Sequence, residues 1–466
     1  MTSSSPPLTT SAAGRRRVIP FLESGPLFDV RWAVLLLPLW WALGLEQFIW
    51  PLLFAVAGLK VLYLQQFRVR INPPLRWFAL FVVAVLISGL FIVEPERWLT
   101  YWRNLGAITA GFLLLFIVSN RARSWPDIER LLDAGLVVVL ISGVLGILAV
   151  AGLWRPSFLS LTGHLLPESI VQTSYGQGIA YRSLGQISWF AGLNLFYRLN
   201  SLFLFSNHYS SVLVYALPFL FYKLGREHGL RRGLVGLGIV LLVINLVYTT
   251  GRVALLSLLA GGLYFVLFHT PRRRAIRILG GAAVALALWL FGVLAVPETI
   301  SINRQTGFIG QALGVVEGFV FARGEGSYTS RFGVYQATVE GFLERPIFGW
   351  GTERDVEGLD LPAGSHSEYF AALYRQGLVG LIALAGLLWA VWWATRPPAG
   401  ALTTSPEGTF LRYGRWFYVG ALINSLMNDP GVDATTYVLL WLFIALLVAT
   451  AQLIHQPSDD NPARAD

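Results

Sequence analysis

Long apolar blocks recur along the whole chain, and they constrain its fold more than any other feature. Most blocks contain roughly 16–23 residues, close to the ~20 that a helix needs to cross the hydrocarbon core of a bilayer. Of the 466 residues, 55% are hydrophobic and only 13% are charged. This is too little charge to cover a soluble protein of this length. The sequence therefore predicts an all-α, polytopic membrane bundle.

The blocks predict about twelve transmembrane helices within a membrane domain that covers residues 30–455. Residues 1–29 and 456–466 have the composition of polar tails. The first tail lacks the short apolar run and cleavage site of a secretory signal. The predicted spans lie near 30–45, 47–65, 75–93, 104–119, 131–153, 205–224, 233–248, 252–269, 276–296, 371–394, 413–428 and 434–454.

Basic residues predict the orientation of this bundle. With the N-terminus inside, roughly 23 of the 35 Lys and Arg residues lie in cytoplasmic segments and roughly 12 lie outside, as the positive-inside rule requires. Both termini are then cytoplasmic. Two long segments, 154–204 and 297–370, face outward, and the second one joins spans nine and ten. Their aromatic and glycine content favours ordered loops, and long loops of this kind are usually functional.

A short amphipathic helix is predicted at 329–343, in the second outer loop. Ser330 is placed to cap this helix, and Arg331 then stands in its first turn. Free backbone N–H groups and the helix dipole favour an anion there, so a cation at this position indicates a negative ligand. The alternative is a solvated loop arginine, and spacing does not decide between the two. The predicted apolar face consists of Phe332, Tyr335, Val339, Phe342 and Leu343.

A histidine directly precedes the tenth predicted span. Ser365 and Glu368 have the spacing of a capping box, which places His366 at the first helical position on the outer surface. The helix N-terminus favours a neutral imidazole, as a general base requires. A purely structural histidine is the alternative.

Two further arginines lie where charge is costly. Arg252 follows residues 249–251 and opens the eighth span without an acidic neighbour in the sequence. Arg198 lies shortly before Asn207 and His208, at the outer edge of the sixth span. Ionisable groups near membrane depth often mark a substrate path. The alternative for either arginine is that it extends to the lipid headgroups.

The sequence contains no motif of nucleotide-driven or metal-dependent chemistry. It has no P-loop, no HExxH and no cysteine. The outer acidic residues also lack a spacing that requires a metal; they include Glu317, Glu325, Glu340, Asp355, Asp360 and Asp429. These features predict no metal and no cofactor, and they argue against ATP-driven transport and metal-assisted glycosyl transfer.

Four motifs resemble those of the O-antigen ligase and polymerase superfamily, in the same order. Residues 198–218, with Asn207 in the middle, resemble its "R…G.F..PN" stretch, although this segment departs most from the pattern. Residues 250–252 resemble its "T.SR" motif, with Gly251 in place of the usual serine.

The third and fourth motifs lie in the second outer loop and the tenth span. Arg331, Pro346 and residues 349–351 resemble "R…P..G.G". The segment from His366 to residue 380 resembles "HN.yl….G..G", with Ser367 in place of the usual asparagine. Each motif is weak alone, but four in order across roughly 198–380 are fairly specific.

The resemblance implies a metal-independent glycosyltransferase on the outer face of the bacterial cytoplasmic membrane. Its donor would be an undecaprenyl-pyrophosphate-linked glycan, and its acceptor a lipid A-core or another lipid-linked repeat unit. Arg252 and Arg331 would bind the pyrophosphate, with Arg198 as a weaker third substrate-binding residue. His366 would activate the acceptor hydroxyl. Fixed guanidiniums suit this reaction because the diphosphate gains negative charge as it leaves.

Two other classes of function stay open. A twelve-helix transporter or flippase usually shows two similar six-helix halves with a long cytoplasmic link, whereas the longest loop predicted here is external. A non-catalytic scaffold, bound to other polysaccharide-assembly membrane proteins, would not explain Arg252, Arg331 and His366 on one face. The glycosyltransferase is therefore the main hypothesis, with ligase and polymerase left undivided.

Overall fold

Helices dominate the computed structural model, which describes residues 25–190, 193–281, 325–359, 361–396 and 405–455. A helix that begins at residue 272 is described as far as 281. The named helices are α1 (Phe28–Leu35), α2 (Leu37–Leu43), α3 (Ile49–Leu64), α4 (Pro73–Gly89), α5 (Arg97–Arg121), α6 (Trp125–Val150), α7 (Leu161–Leu165), α8 (Glu168–Val171), α9 (Ser174–Ala180), α10 (Ser206–Arg226), α11 (Gly229–Thr249), α12 (Arg252–His269), α13 (Glu325–Glu344), α14 (Glu368–Ala394), α15 (Pro406–Ser425) and α16 (Ala434–His455).

Six of the described helices are long and apolar enough to cross a membrane, namely α5, α6, α11, α12, α14 and α16. Helices α3 and α4 are apolar but shorter, with 16 and 17 residues. Each of these eight helices coincides with a predicted span. The chain is thus a mostly helical, multi-pass membrane protein, and the total of twelve spans stays a prediction.

The four remaining predicted spans do not each correspond to one long apolar helix of the described residues. The first one, 30–45, divides into α1 and α2, because Pro38 lies in the first turn of α2 and cannot donate the hydrogen bond that would continue α1. Helices α10 and α15 cover the spans predicted at 205–224 and 413–428. The ninth predicted span, 276–296, is described only as far as residue 281. Residues 297–324 and the tails 1–24 and 456–466 lie outside the described residues.

Helix α16 forms the centre of the bundle. It is apolar on all sides, and its residues 434–451 are buried, as expected for a helix surrounded by other helices. Helix α5 packs against α16 with Gly111 beside Trp441, where an added Cβ would lie 2.7 Å from the indole Cδ1. A small residue permits this close approach.

The first outer loop contains strands, which the all-α prediction missed. Strand β1 (Ser157–Leu159) pairs antiparallel with β2 (Tyr181–Ser183), and β3 (Gly185–Phe190) pairs antiparallel with β4 (Leu193–Leu199). Residues 185–199 are rich in aromatic and aliphatic side chains at short spacing, which a hairpin accommodates better than a surface helix. The loop from 154 to 204 is thus structured in its described residues.

Candidate functional site

Several helix ends meet at one end of the bundle, here called the site end. It comprises the N-termini of α5, α10, α12, α14 and α16 together with the C-termini of α11 and α15. Arg198 at the end of β4, Arg252 at the start of α12 and His366 just before α14 all lie here. It is the end that the charge distribution predicts to face outward.

Arg198 connects the first two predicted motifs. Its Nε donates to the carbonyl oxygen of Thr249 at 3.1 Å, and its Nη2 donates to Oδ1 of Asn207 at 2.9 Å. One strand arginine therefore holds the start of α10 beside the turn between α11 and α12. Arg252, which the sequence predicts to open a span, is the first residue of α12.

The turn before Arg252 explains why glycine stands at position 251. Thr250 has a left-handed backbone with φ of 55°. A Cβ built on Gly251 would lie 2.5 Å from Oγ of Ser210. The hydroxyl of Ser210 thus occupies the space where the family's usual serine would place its own side chain.

The helix that follows His366 begins two residues later than the capping-box prediction requires. Helix α14 starts at Glu368, and Ser367 is its N-cap, with Oγ accepting from the backbone N–H of Phe370 at 3.4 Å. Ser365 instead donates to the carbonyl oxygen of Pro362 at 2.6 Å. His366 precedes the helix in a left-handed conformation, with φ of 63°. Its predicted place at the first helical position is therefore wrong.

The helix that contains Arg331 also differs from its prediction. Helix α13 is described from Glu325 onward, so Arg331 lies at least six residues inside the helix and not in its first turn. The side chain of Arg331 lies outside the described residues. Val334 and Thr338 form the buried face, whereas Phe332, which was predicted to lie on the packed apolar face, is 71% exposed.

Helix α13 lies against the turn that holds His366. The hydroxyl of Tyr335 donates to the carbonyl oxygen of His366 at 3.3 Å. Its ring stacks on Phe370, with centroids 4.9 Å apart. Tyr335 follows Arg331 by four residues, which is about one helical turn. This part of α13 therefore runs beside His366.

Polar contacts connect the His366 turn to the Arg252 turn. Ser367 Oγ donates to the carbonyl oxygen of Ser425 at the end of α15. In the same helix, Asn424 Oδ1 accepts from Ser211 Oγ of α10 at 2.8 Å. Ser210, next to Ser211, lies against Gly251. The structure thus brings Arg198, Arg252 and the His366 turn to one end of the bundle.

The third and fourth predicted motifs fit together at a kink in α14. Gly377 has φ of 65° and ψ of −160°, which glycine adopts at little cost. The kink leaves the carbonyl oxygens of Tyr374 and Arg375 free for the loop, where they accept from the N–H groups of Trp350 and Gly351 at 3.0 and 2.8 Å. The segment around residues 349–351 is thereby fixed onto α14.

A buried network of charges, which sequence reasoning missed, lies next to this kink. Arg375 Nη2 is 2.6 Å from Asp429 Oδ2 and 3.1 Å from Glu353 Oε2. Arg103 Nη2 is 2.8 Å from Glu353 Oε1. Arg375 interrupts the apolar run of the tenth predicted span, and a charge inside a span is a signal that could have identified it. Its partners lie far away in sequence, so no local motif revealed them.

A second buried pair attaches the first outer loop to the bundle. Arg182 of β2 contacts both carboxylate oxygens of Glu46, at 2.9 and 3.1 Å. Burial raises the pKa of Glu46 to about 7, although Arg182 opposes this shift. Close by, Asp433 Oδ1 accepts from Gln47 at 2.8 Å, and its Oδ2 lies 3.7 Å from Nδ1 of His208.

Glu353 gives the network a measurable pH dependence. Burial raises its pKa, but Arg375 and Arg103 outweigh burial and leave the pKa at about 2. Its folded pKa is thus below its unfolded pKa. We expect Glu353 to stabilise the fold above about pH 4.5 and to lose this contribution, on the order of 3 kcal/mol, as the pH falls towards 2.

Chemical unfolding of the wild type and Glu353→Gln at a series of pH values measures this contribution. The stability difference between the two proteins is expected to be largest at neutral pH and to shrink below about pH 4.5. A difference that stays constant down to pH 2 would contradict the assignment. Glu357→Gln, at an exposed position of the same loop, is the control.

Among the described residues, no group of three or more His, Cys, Asp or Glu side chains could hold a metal ion. Residues 237–385 match the family model described as O-antigen ligase. That segment contains Arg252, Arg331, His366 and Arg375, and it confirms the resemblance to the O-antigen ligase and polymerase superfamily. A comparison with curated proteins finds none that matches this chain.

Proposed function

We propose that this chain, a membrane protein of the O-antigen ligase and polymerase superfamily, is a glycosyltransferase that uses a lipid-pyrophosphate-linked glycan. The donor is an undecaprenyl-pyrophosphate-linked oligo- or polysaccharide. The acceptor is a sugar hydroxyl of a lipid A-core or of another lipid-linked repeat unit. The reaction takes place at the outer face of the bacterial cytoplasmic membrane, with both termini of the chain in the cytoplasm.

One observation carries this proposal. The segment that matches the O-antigen ligase model contains Arg252, Arg331 and His366. Contacts through Ser367, α15 and α10 join the His366 turn to the Arg252 turn. A cation and a candidate base at one end of a membrane bundle are the groups that this transfer needs.

The chemistry requires a base for one proton and positive charge for one leaving group. The acceptor oxygen attacks the anomeric carbon, and the bond between that carbon and the pyrophosphate oxygen breaks. His366 accepts the hydroxyl proton, and undecaprenyl pyrophosphate leaves with the bonding electrons. Arg252 and Arg331 hold the diphosphate by charge-assisted hydrogen bonds. Arg198 contributes a third positive charge and fixes the turn before Arg252 through Thr249.

The proposal needs no metal or cofactor, because the arginines supply the positive charge at the leaving group. We therefore expect purified full-length protein in proteoliposomes to transfer glycan from undecaprenyl pyrophosphate to an added acceptor at the same rate with and without EDTA. Radiolabelled glycan on the acceptor is the measurement. Loss of transfer in EDTA and recovery with Mg²⁺ would contradict the proposed chemistry.

The same vesicles distinguish the enzyme from a transporter. Labelled donor is placed in the inner leaflet, and its exposure to an external glycosidase is followed over time. Movement of the donor to the outer leaflet without transfer to any acceptor would favour the flippase and overturn the proposal. Comparing lipid A-core with a lipid-linked repeat unit as acceptor separates ligase from polymerase.

A further inference from the structure

A small cavity lies between α4, α5, α14 and the turn before α16. Its volume is about 20 Å³, which is room for a water molecule. Phe81 and Ile108 line it on the apolar side, and Asn104, Glu368, Arg375 and Asp429 on the polar side. Glu368 follows Ser367, the N-cap of α14, so the cavity is next to the His366 turn.

The carboxyls around this cavity outnumber the cations. Arg103 and Arg375 pair with Glu353 and Asp429. Among the described residues, Glu368 takes part in no ion pair, and its buried Oε2 has no hydrogen-bond partner there. The cavity lining and the ion-pair network beside it thus contain two guanidiniums and three carboxyls.

The carboxyls of Glu368 and Asp429 lie on either side of the same glycine and line the same cavity. A Cβ built on Gly431 would lie 3.2 Å from Asp429 Oδ1 and 3.8 Å from Glu368 Oε2. Two ionised carboxylates repel each other at such a site, whereas one shared proton joins them. The groups that face Glu368 from its own helix and from its neighbours are Asp429, Arg375, Tyr215, Tyr369 and Tyr437.

A metal ion is a poor alternative to the proton. Arg375 lines the same cavity, and its positive charge would oppose a cation there. Asp429 already accepts from Arg375 and from the N–H of Gly431. A proton on Glu368 brings the five charged groups to neutrality and supplies the donor that this pair lacks.

The pair is placed to hold the His366 turn. The N–H of Glu368 donates to the carbonyl oxygen of Asn428 at 3.2 Å, just before Asp429. His366 has a positive φ, which costs a non-glycine residue free energy and requires support from its surroundings. Because the anchors at Ser367 and Glu368 follow His366 directly, they fix its backbone.

We propose that Glu368 is a positioning residue, held as a neutral carboxylic acid whose hydrogen bond to Asp429 fixes the turn that carries His366. This rests on the proposed role of His366 as the base. Deprotonation of Glu368 would place a second negative charge beside Asp429, weaken the attachment and displace His366. The transfer rate is therefore expected to fall on the alkaline side through Glu368.

The test compares Glu368→Gln with Glu368→Ala in the vesicle assay. Glutamine is neutral and can still donate to Asp429, so this variant keeps kcat within about threefold of the wild type and lacks the alkaline decline that Glu368 causes. Alanine removes the anchor and lowers kcat by about tenfold or more, with little change in the KM for the donor. Glu357→Gln, in an exposed position, serves as the control.

A measurement without substrate separates this inference from the proposed function. The infrared spectrum of the wild type at neutral pH is expected to contain a stronger carbonyl stretch of protonated carboxylic acid than that of Glu368→Gln. A weaker band remains in the variant because Glu46, whose pKa is about 7, contributes to both spectra. Equal bands in the two proteins, or equal inactivity of the glutamine and alanine variants, would overturn the inference. Full activity of His366→Ala would instead remove the proposed function and leave the infrared result unaffected.

Discussion

Replacement of His366 by alanine is expected to lower the rate of glycan transfer by about 10²–10⁴-fold, the usual contribution of a general base. The loss should appear in kcat, because the arginines proposed to hold the diphosphate are unchanged. Donor binding, measured by the KM for the lipid-linked glycan, should change little. The measurement is initial transfer rate in proteoliposomes at saturating donor and acceptor.

The matched control for this variant is His228→Ala. His228 is exposed and precedes α11, at the end of the bundle opposite the site end, so its removal leaves the rate unchanged. Circular dichroism and thermal unfolding of both variants establish that the fold is intact. A wild-type rate for His366→Ala would exclude this histidine as the base.

The second large effect concerns stability. Arg375→Met is expected to lower the free energy of unfolding by about 3–5 kcal/mol, because it leaves the buried carboxylates of Glu353 and Asp429 without their shared cation. Methionine keeps most of the side-chain volume, so the loss reports charge more than packing. Denaturant unfolding in detergent micelles, followed by tryptophan fluorescence, measures it.

Arg130→Met provides the comparison for this variant. The Arg130 side chain is 63% exposed, and its pair with Asp127 is 3.7 Å long, so the loss there is about 1 kcal/mol or less. Adding Asp429→Asn to Arg375→Met should recover part of the lost stability, since it removes one unpaired charge. If Arg375→Met and Arg130→Met lowered the free energy of unfolding equally, the network would not stabilise the fold.

The prediction of helical spans succeeded where the signal was continuous along the chain. Helices α6, α11, α14 and α16 each contain a long apolar run, and a helix is the structure that satisfies their backbone groups within one segment. The prediction was less successful at helix ends. Ser365 and Ser367 are two possible N-caps two residues apart, and tertiary contacts such as that between Ser367 and Ser425 favour the second.

The buried side of α13 was also predicted wrongly from amphipathic spacing. Val334 and Thr338 pack inward, whereas Phe332 and Leu343 are exposed. The spacing identified a helix correctly, but it could not indicate which side faces the bundle. Tyr374 of α14 lies against Gly341, so packing on another helix selects the buried side.

The sequence by itself predicted that the chain is a helical membrane protein, and it singled out Arg198, Arg252 and His366 as candidates, because each of these signals is carried by neighbouring residues. Only the tertiary structure brought together the site end and its charges. The charged network joins residues from four separate segments, and no local sequence pattern indicates their pairing. These residues are Arg103, Glu353, Arg375 and Asp429. Burial makes unpaired charges costly, so the folded bundle decides which of these residues are partners.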